Sequence, residues 1–245
     1  MTIKGMSCSH RLRLSGIVGA ESLPVACRFS LVASRLLTVD VSAFEISCFD
    51  REGIARPTTI ARSVLKRQAE FFYGRVAARL ALAQFGVDGA DVAIGESREP
   101  VWPAGYVGSI THCQGFAAAA VAQRRSVCGI GIDIERVADP DELVALRDLV
   151  VHDDELAPLA ASRISTEILV TIVFSAKESL YKAAFASVGR FFDFGVARVV
   201  APLDSRGRLT LVLTEELSAD FPRGRRCEVA FELLRPSVVF TSFVW

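Results

Sequence analysis

The chain has 245 residues, enough for one large domain or two small ones, either able to bury a sizeable core. Acidic and basic side chains balance at 28 each, so no global field draws the protein to nucleic acid or to an anionic membrane. Apolar residues make up 51% of the chain, yet no apolar run approaches the roughly 20 residues of a membrane span.

Residues 1–56 carry the weakest pattern. Arg11 and Arg13 precede an apolar stretch that Glu21 and Pro24 interrupt, which argues against a cleaved signal peptide. Strands are expected at 26–33, at 36–41 and near 44–49. From Pro57 to Phe85 the spacing predicts a helix closed by Gly86. Phe71, Phe72, Val76 and Leu80 fall near helical spacing, and Arg62, Lys66, Arg67, Arg75 and Arg79 make the remainder basic. Alone, such a face is solvated surface. Pro100, Pro103 and Gly105 mark a loop. A meander of three strands is expected next, at 107–112, 116–122 and 128–135, turning at Gln114-Gly115 and Arg124–Ser126. Residues 139–160 are helical, acidic and interrupted, and a helix covers about 165–187. Strands near 196–201, 209–214, 226–234 and 237–243 complete the pattern. Each half is thus a long helix followed by antiparallel strands, an α+β arrangement. Phe72-Tyr-Gly-Arg75 and Phe174-Ser-Ala-Lys177 echo one another faintly, which suggests two related subdomains, 1–125 and 126–245.

Two short segments carry chemistry. In Gly129-Ile-Gly-Ile-Asp-Ile-Glu135 successive side chains of a strand point to opposite faces. Ile130, Ile132 and Ile134 share a core face, and Gly129, Gly131, Asp133 and Glu135 share the other. Two carboxylates that close repel unless a cation joins them, and a hard divalent ion suits such oxygen donors. In Phe174-Ser-Ala-Lys-Glu-Ser-Leu-Tyr-Lys-Ala183 helical spacing sets Lys177 beside Tyr181 and Glu178 beside Lys182. A carboxylate flanked by two ammonium groups suits a metal-bound pyrophosphate. Ser175 and Glu178 also fit a capping box, and Glu178 with Lys182 an ordinary helix ion pair. Asp133 and Glu135 tip the balance toward a metal and phosphate site. The six cysteines form no Cys-x-x-Cys pair and are expected as buried free thiols of a reducing cytosol. His10 and His152 are expected as surface residues, and His112 alone would be structural.

These segments resemble the 4'-phosphopantetheinyl transferases of the larger, two-subdomain class, especially the enterobactin synthetase component D type. The resemblance rests on Arg67-Gln-Ala-Glu-Phe-Phe-Tyr-Gly-Arg75, Arg98-Glu-Pro-Val-Trp-Pro103, Gly108-Ser-Ile-Thr-His112, Gly129–Glu135 and Phe174–Ala183, in that order along the middle half of the chain. Phe174 stands where many members have Trp, a change of packing, and residues 1–56 match weakly. The resemblance implies a pseudo-twofold monomer with coenzyme A and Mg2+ (or Mn2+) in the cleft between its halves. It implies transfer of the phosphopantetheine arm to a serine of an apo acyl or peptidyl carrier protein, releasing adenosine 3',5'-bisphosphate. Siderophore or other nonribosomal peptide synthesis in the cytoplasm is the expected setting.

By the same resemblance Asp133, Glu135 and Glu178 are the metal ligands, with Glu178 also a candidate base and Asp133, Glu178 and Lys182 the catalytic set. Lys177 and Lys182 meet coenzyme A phosphates. His112 meets the 3'-phosphate with Thr111 beside it, and Arg67, Arg75 and Arg98 surround the nucleotide. Phe191-Phe192-Asp-Phe194 is core by composition, with carrier docking through Phe192 as a second expectation. Two other functions use the same residues: a Mg-dependent pyrophosphohydrolase acting on coenzyme A, and a non-catalytic coenzyme A-binding module.

Overall fold

In a computed structural model the chain is described at residues 15–25, 32–201, 203 and 208–245. It divides into two compact units, one of Met1–Pro24, Ala33–Ala104 and Ile110–Val121, the other of Val25–Val32, Gly105–Ser109 and Ala122–Trp245. The architecture is α+β.

The first unit is built on strands β1 (Ile17–Glu21) and β2 (Ala33–Val39), which pair antiparallel. A strand expected at 44–49 is instead the short helix α1 (Ser47–Glu52). Its Cys48 and Phe49 are buried, and the Phe49 ring meets Phe44 and Phe72 edge-on at 6.0 and 5.3 Å. The strand expected at 26–33 lies mostly outside the described residues. The helix expected from Pro57 to Phe85 is broken into α2 (Thr58–Ala61) and α3 (Leu65–Leu82). Between them Val64 is extended and the Gln68 amide donates to Ser63 O at 2.8 Å, stabilising the break. Gly86 closes the following turn at φ 75°, a left-handed conformation suited to glycine. Helix α3 packs on β2, burying Phe71, Phe72, Tyr73 and Val76. A two-stranded hairpin, β3 (Ala93–Ile94) and β4 (Pro100–Val101), follows.

Strands β5 (Tyr106–Cys113) and β6 (Phe116–Gln123) turn at Gly115 and extend the first sheet in the order β1-β2-β6-β5. The third strand of the expected meander, β7 (Ile130–Arg136), leaves that sheet. It pairs antiparallel with the last strand and forms the edge of a second sheet in the order β7-β11-β10-β9-β8. The other members are β8 (Ala197–Val199), β9 (Arg208–Leu213), β10 (Arg226–Arg235) and β11 (Val238–Val244). Long-range pairing with β11 overrides the local turn signal that suggested a meander.

Helices α4 (Pro140–Leu149) and α5 (Asp153–Leu156) each begin with a capping box, at Asp139 and His152 respectively. Helix α6 (Thr166–Val188) packs on β7 and β11 and stops at Gly189. The packing is made possible by glycine: a Cβ on Gly131 would lie 1.7 Å from Ser179 O, and one on Gly129 2.3 Å from Ala183 O. The glycine face of β7 therefore admits the helix backbone itself, and Asp133 on that same face is carried against α6. No single helix among the described residues is long and apolar enough to cross a membrane.

Candidate active site

The second unit gathers the acidic residues. Asp133 is buried; its Oδ1 accepts from Lys182 Nζ at 2.6 Å and its Oδ2 from Ser175 Oγ at 2.8 Å. Lys182 Nζ also lies 3.8 Å from Glu178 Oε2 and 3.4 Å from the Ile132 carbonyl. Helical geometry accounts for the grouping, because residues 175, 178, 179 and 182 recur at three and four residues and share one face of α6. Burial raises the Glu135 carboxyl to about 8, helped by the neighbouring Asp133 charge and opposed by Lys182. Burial also raises Glu178, again with Lys182 opposing and Asp133 assisting. For Lys182 burial works against the charge, but Asp133, Glu178 and Glu135 together raise its pKa. Three carboxylates thus surround a single ammonium group.

The cation at the centre of this cluster is Lys182. Among the described residues no three His, Cys, Asp or Glu side chains are disposed as a metal-ligand group. The donor chemistry nonetheless suits a hard cation, since three carboxyl groups share the one positive charge of Lys182, and burial beside Asp133 pushes Glu135 up.

Lys177 departs from expectation. It points away from the acids, with its side chain 1% exposed, and donates to Glu155 Oε2 at 2.9 Å and Val150 O at 2.7 Å. Position 177 belongs with Val170, Val173, Leu180 and Ala184 on the buried stripe of α6, so its ammonium enters the core. Burial lowers its pKa, and Glu155 opposes the shift. Glu155, wholly buried, also accepts from the backbone N–H of His152 and Val199. Sequence reasoning missed this acid, although the His152 to Glu155 capping box was available as a signal. Ser175 is likewise no helix cap: it lies in the middle of α6 and holds Asp133.

The first unit gathers the basic residues. A cavity of about 450 Å³ is lined by Arg67, Glu70, Arg75, Arg98 and His112, with Gly74 and Ile110 among its apolar walls. Arg67 Nη1 donates to His112 Nε2 at 3.0 Å and lies 3.4 Å from Glu70. The Arg75 guanidinium stacks 4.4 Å over the Phe71 ring and donates to Ala93 O at 3.2 Å, while its buried Nε makes no hydrogen bond. Burial and the nearby Arg67 lower Arg75 to about 10. Arg98 reaches the cavity from the β3–β4 loop with a left-handed backbone, φ 69°. Thr111 is a correction: it does not line this cavity. Strand β5 alternates, placing Ile110 and His112 toward the cavity and Thr111 on the buried face. Arg79 is structural, paired with Asp91 and with the carbonyls of Glu52 and Gly53.

Phe192 follows the core expectation and not the docking one, being buried against Tyr181 with ring centroids 4.8 Å apart, whereas Phe191 departs from the core at 77% exposed. Among the described cysteines all are unbridged and Cys48 and Cys227 are buried, but Cys113 is half-buried and Cys128 exposed.

The features together define a two-unit α+β protein, one unit offering a basic cavity and the other a buried cluster of acids around a lysine. Residues 55–122 match the model of the 4'-phosphopantetheinyl transferase N-terminal domain, and residues 129–228 that of the 4'-phosphopantetheinyl transferase superfamily. The chain is 39% identical over 150 residues to 4'-phosphopantetheinyl transferase PptT of Mycobacterium tuberculosis, covering 60% of this chain and 64% of that protein. It is 36% identical over 149 residues to enterobactin synthase component D of Salmonella typhi, covering 61% and 62%. With 4'-phosphopantetheinyl transferase Npt of Nocardia iowensis it shares 34% over 172 residues, 69% of this chain and 76% of that one. The chain belongs to the 4'-phosphopantetheinyl transferase family. It spans about 60% of the length of the first curated relatives it matches.

Proposed function

We propose that the protein transfers the 4'-phosphopantetheine moiety of coenzyme A to a serine of an apo carrier protein and releases adenosine 3',5'-bisphosphate. The observation that carries this reading is the Asp133–Lys182–Glu178 cluster, which lies within the matched superfamily segment. Arg67, Arg75, Arg98 and His112 take the nucleotide phosphates, guanidinium forks being well matched to phosphate oxygens. Asp133, Glu135 and Glu178 would hold Mg2+, or Mn2+ in its place, which when bound polarises the pyrophosphate and stabilises the leaving bisphosphate.

The chain's own residues supply the rest. Lys182 neutralises phosphate oxygens as a point charge. The serine oxygen bonds to the phosphorus that bears the pantetheine arm, the bridging P–O bond breaks, and the bisphosphate departs. The serine proton passes to a carboxylate oxygen of Glu178, the nearest carboxylate on α6 to Lys182 and the phosphate it neutralises. Phosphoryl transfer relies on positioning and charge stabilisation more than on covalent catalysis by protein groups. The carrier belongs to a nonribosomal peptide or siderophore synthetase, and the enzyme works as a cytoplasmic monomer.

The test is direct. Protein, coenzyme A, Mg2+ and an apo peptidyl carrier domain are mixed, and the carrier is weighed by mass spectrometry. A gain of one phosphopantetheine is expected. Coenzyme A cleavage that proceeds without carrier would identify a hydrolase, and binding without cleavage a non-catalytic module; either would overturn the proposal.

A further inference from the structure

Behind Asp133 lies a set of hydroxyl groups for which neither coenzyme A nor a carrier has an evident use. Ser175 Oγ, which donates to Asp133 Oδ2, is 2.9 Å from Thr241 Oγ1, and Thr241 Oγ1 is 2.7 Å from Ser179 Oγ. Thr241 also reaches the Ser175 carbonyl at 2.8 Å, and Ser179 reaches the Thr241 carbonyl at 3.2 Å. Ser175, Ser179 and Thr241 are completely buried. Their placement follows from topology: Thr241 stands opposite Asp133 in the β7–β11 register, and Ser175 and Ser179 are one turn apart on α6.

Each hydroxyl has one proton to give, and an ionised carboxylate only accepts. The Ser175 proton is therefore committed to Asp133. The one Thr241 proton is shared between the Ser175 carbonyl at 2.8 Å and Ser175 Oγ at 2.9 Å; turned to Ser175 Oγ, it completes a run from Ser179 to Thr241 to Ser175 to Asp133 with the dipoles directed at the carboxylate. Such chains polarise one another in a dry interior, where an unsupported charge would be costly. One oxygen of Asp133 is thus held from behind by the relay, while the other faces Lys182.

We propose that Ser175, backed by Thr241 and Ser179, is a positioning residue that sets the Asp133 carboxylate for a divalent cation. The inference rests on the functional reading above and adds residues to it. Outer partners of this kind, when removed, lower metal affinity by about 10- to 100-fold.

The experiment titrates the full-length protein with Mn2+ alone, reading free Mn2+ by electron paramagnetic resonance. Ser175→Ala and Thr241→Val are expected to weaken Mn2+ binding about tenfold or more. Thr241→Ser, which restores the hydroxyl, should rescue it. The double variant Ser175→Ala/Thr241→Val should bind no worse than Ser175→Ala, because both changes cut one chain. Ser242→Ala is the control: Ser242 Oγ is buried, lies on the opposite face of β11 and makes no hydrogen bond, so binding should be unchanged. Thermal melts identify any variant that fails to fold, in which case the Thr241→Val and Thr241→Ser pair decides. In the transfer assay the Mn2+ activation constant should rise while the KM for coenzyme A at saturating Mn2+ stays constant. Wild-type Mn2+ affinity in folded Ser175→Ala or Thr241→Val, alongside lost affinity in Asp133→Asn, would overturn the inference and spare the functional reading. Equal binding by wild type and Asp133→Asn would remove that reading, and the relay's role with it.

Discussion

The cavity of the first unit and the acid cluster of the second carry opposite charge and are built in opposite ways. The cavity takes its cations from α3, the β3–β4 loop and β5, three separate elements. The cluster takes all its acids from β7 and α6, whose backbones touch through Gly131. Arg67 is half-exposed and shares its guanidinium loosely with Glu70 and His112, whereas Asp133 is buried with both oxygens engaged. A surface assembled from several elements can adjust to a ligand. A pair of backbones in contact holds a geometry. The first construction suits binding and the second suits chemistry, so substitutions in the two regions should separate into KM and kcat effects.

The largest effect is expected at the cluster. Asp133→Asn and Glu178→Gln should each lower kcat by about 10³-fold, corresponding to several kcal/mol of lost charge stabilisation, in the carrier-modification assay. The KM for coenzyme A should change little. If either variant instead raised KM at constant kcat, the division between the regions would be wrong.

Next in size is the buried pair behind the cluster. Lys177→Met or Glu155→Gln should cost about 3–5 kcal/mol in urea unfolding, because each leaves a buried charge without its partner. In whatever fraction stays folded, coenzyme A KM should match wild type. A raised KM with unchanged stability would return Lys177 to the phosphate site that family resemblance implies for it.

The two glycines compare the regions directly. A Cβ on Gly131 meets backbone atoms of Ser179 at 1.7 and 2.7 Å, and α6 must lift to admit it. A Cβ on Gly74 meets only a side chain, the Ile110 Cγ2 methyl at 2.8 Å, so Ile110 must shift but no backbone has to part. Gly131→Ala should therefore cost about 3 kcal/mol and most of the activity, at the upper end of overpacking costs. Gly74→Ala should cost clearly less, since only Ile110 must shift and alanine gains about 1 kcal/mol of helix propensity. Equal costs by denaturation would show that the β7–α6 contact is no stiffer than the cavity wall.

How much of this was legible in sequence depended on range. The alternation of glycine and acid in 129–135 already told that Asp133 shares a face with the small residues, and the helix at 165–187 was placed within a residue of α6. The same 3.6-residue period assigns Lys177 to the apolar stripe and Ser175, Ser179 and Lys182 to the acid face. Charge drew attention to Lys177 ahead of periodicity, and the capping-box pattern disguised Ser175. Thr111 was misplaced because motif resemblance treats adjacent residues alike, while a strand sends them to opposite faces. Thr241 had no local signal at all. Its role comes from pairing 108 residues away in sequence with Asp133, a register that only the folded sheet reveals.

A smaller effect than at the acid cluster is expected in the cavity, at Arg75. Its guanidinium is already oriented by the Phe71 ring and the Ala93 carbonyl, and its Nε retains an unused donor inside the wall. An anionic ligand in the cavity would meet a guanidinium that is already oriented, which is the condition under which a charged hydrogen bond contributes most, about 1.5–3 kcal/mol. Arg75→Gln should raise the KM for coenzyme A, and the Kd for adenosine 3',5'-bisphosphate by calorimetry, about 10- to 100-fold. Arg75→Lys should recover little, because an ammonium keeps the charge and loses the fork. Turnover at saturating coenzyme A should stay within about twofold of wild type if Arg75 binds ground state and transition state equally. A fall in kcat with unaltered nucleotide affinity would mean that Arg75 acts on the reacting phosphate, and the cavity would then share in the chemistry assigned to the acids.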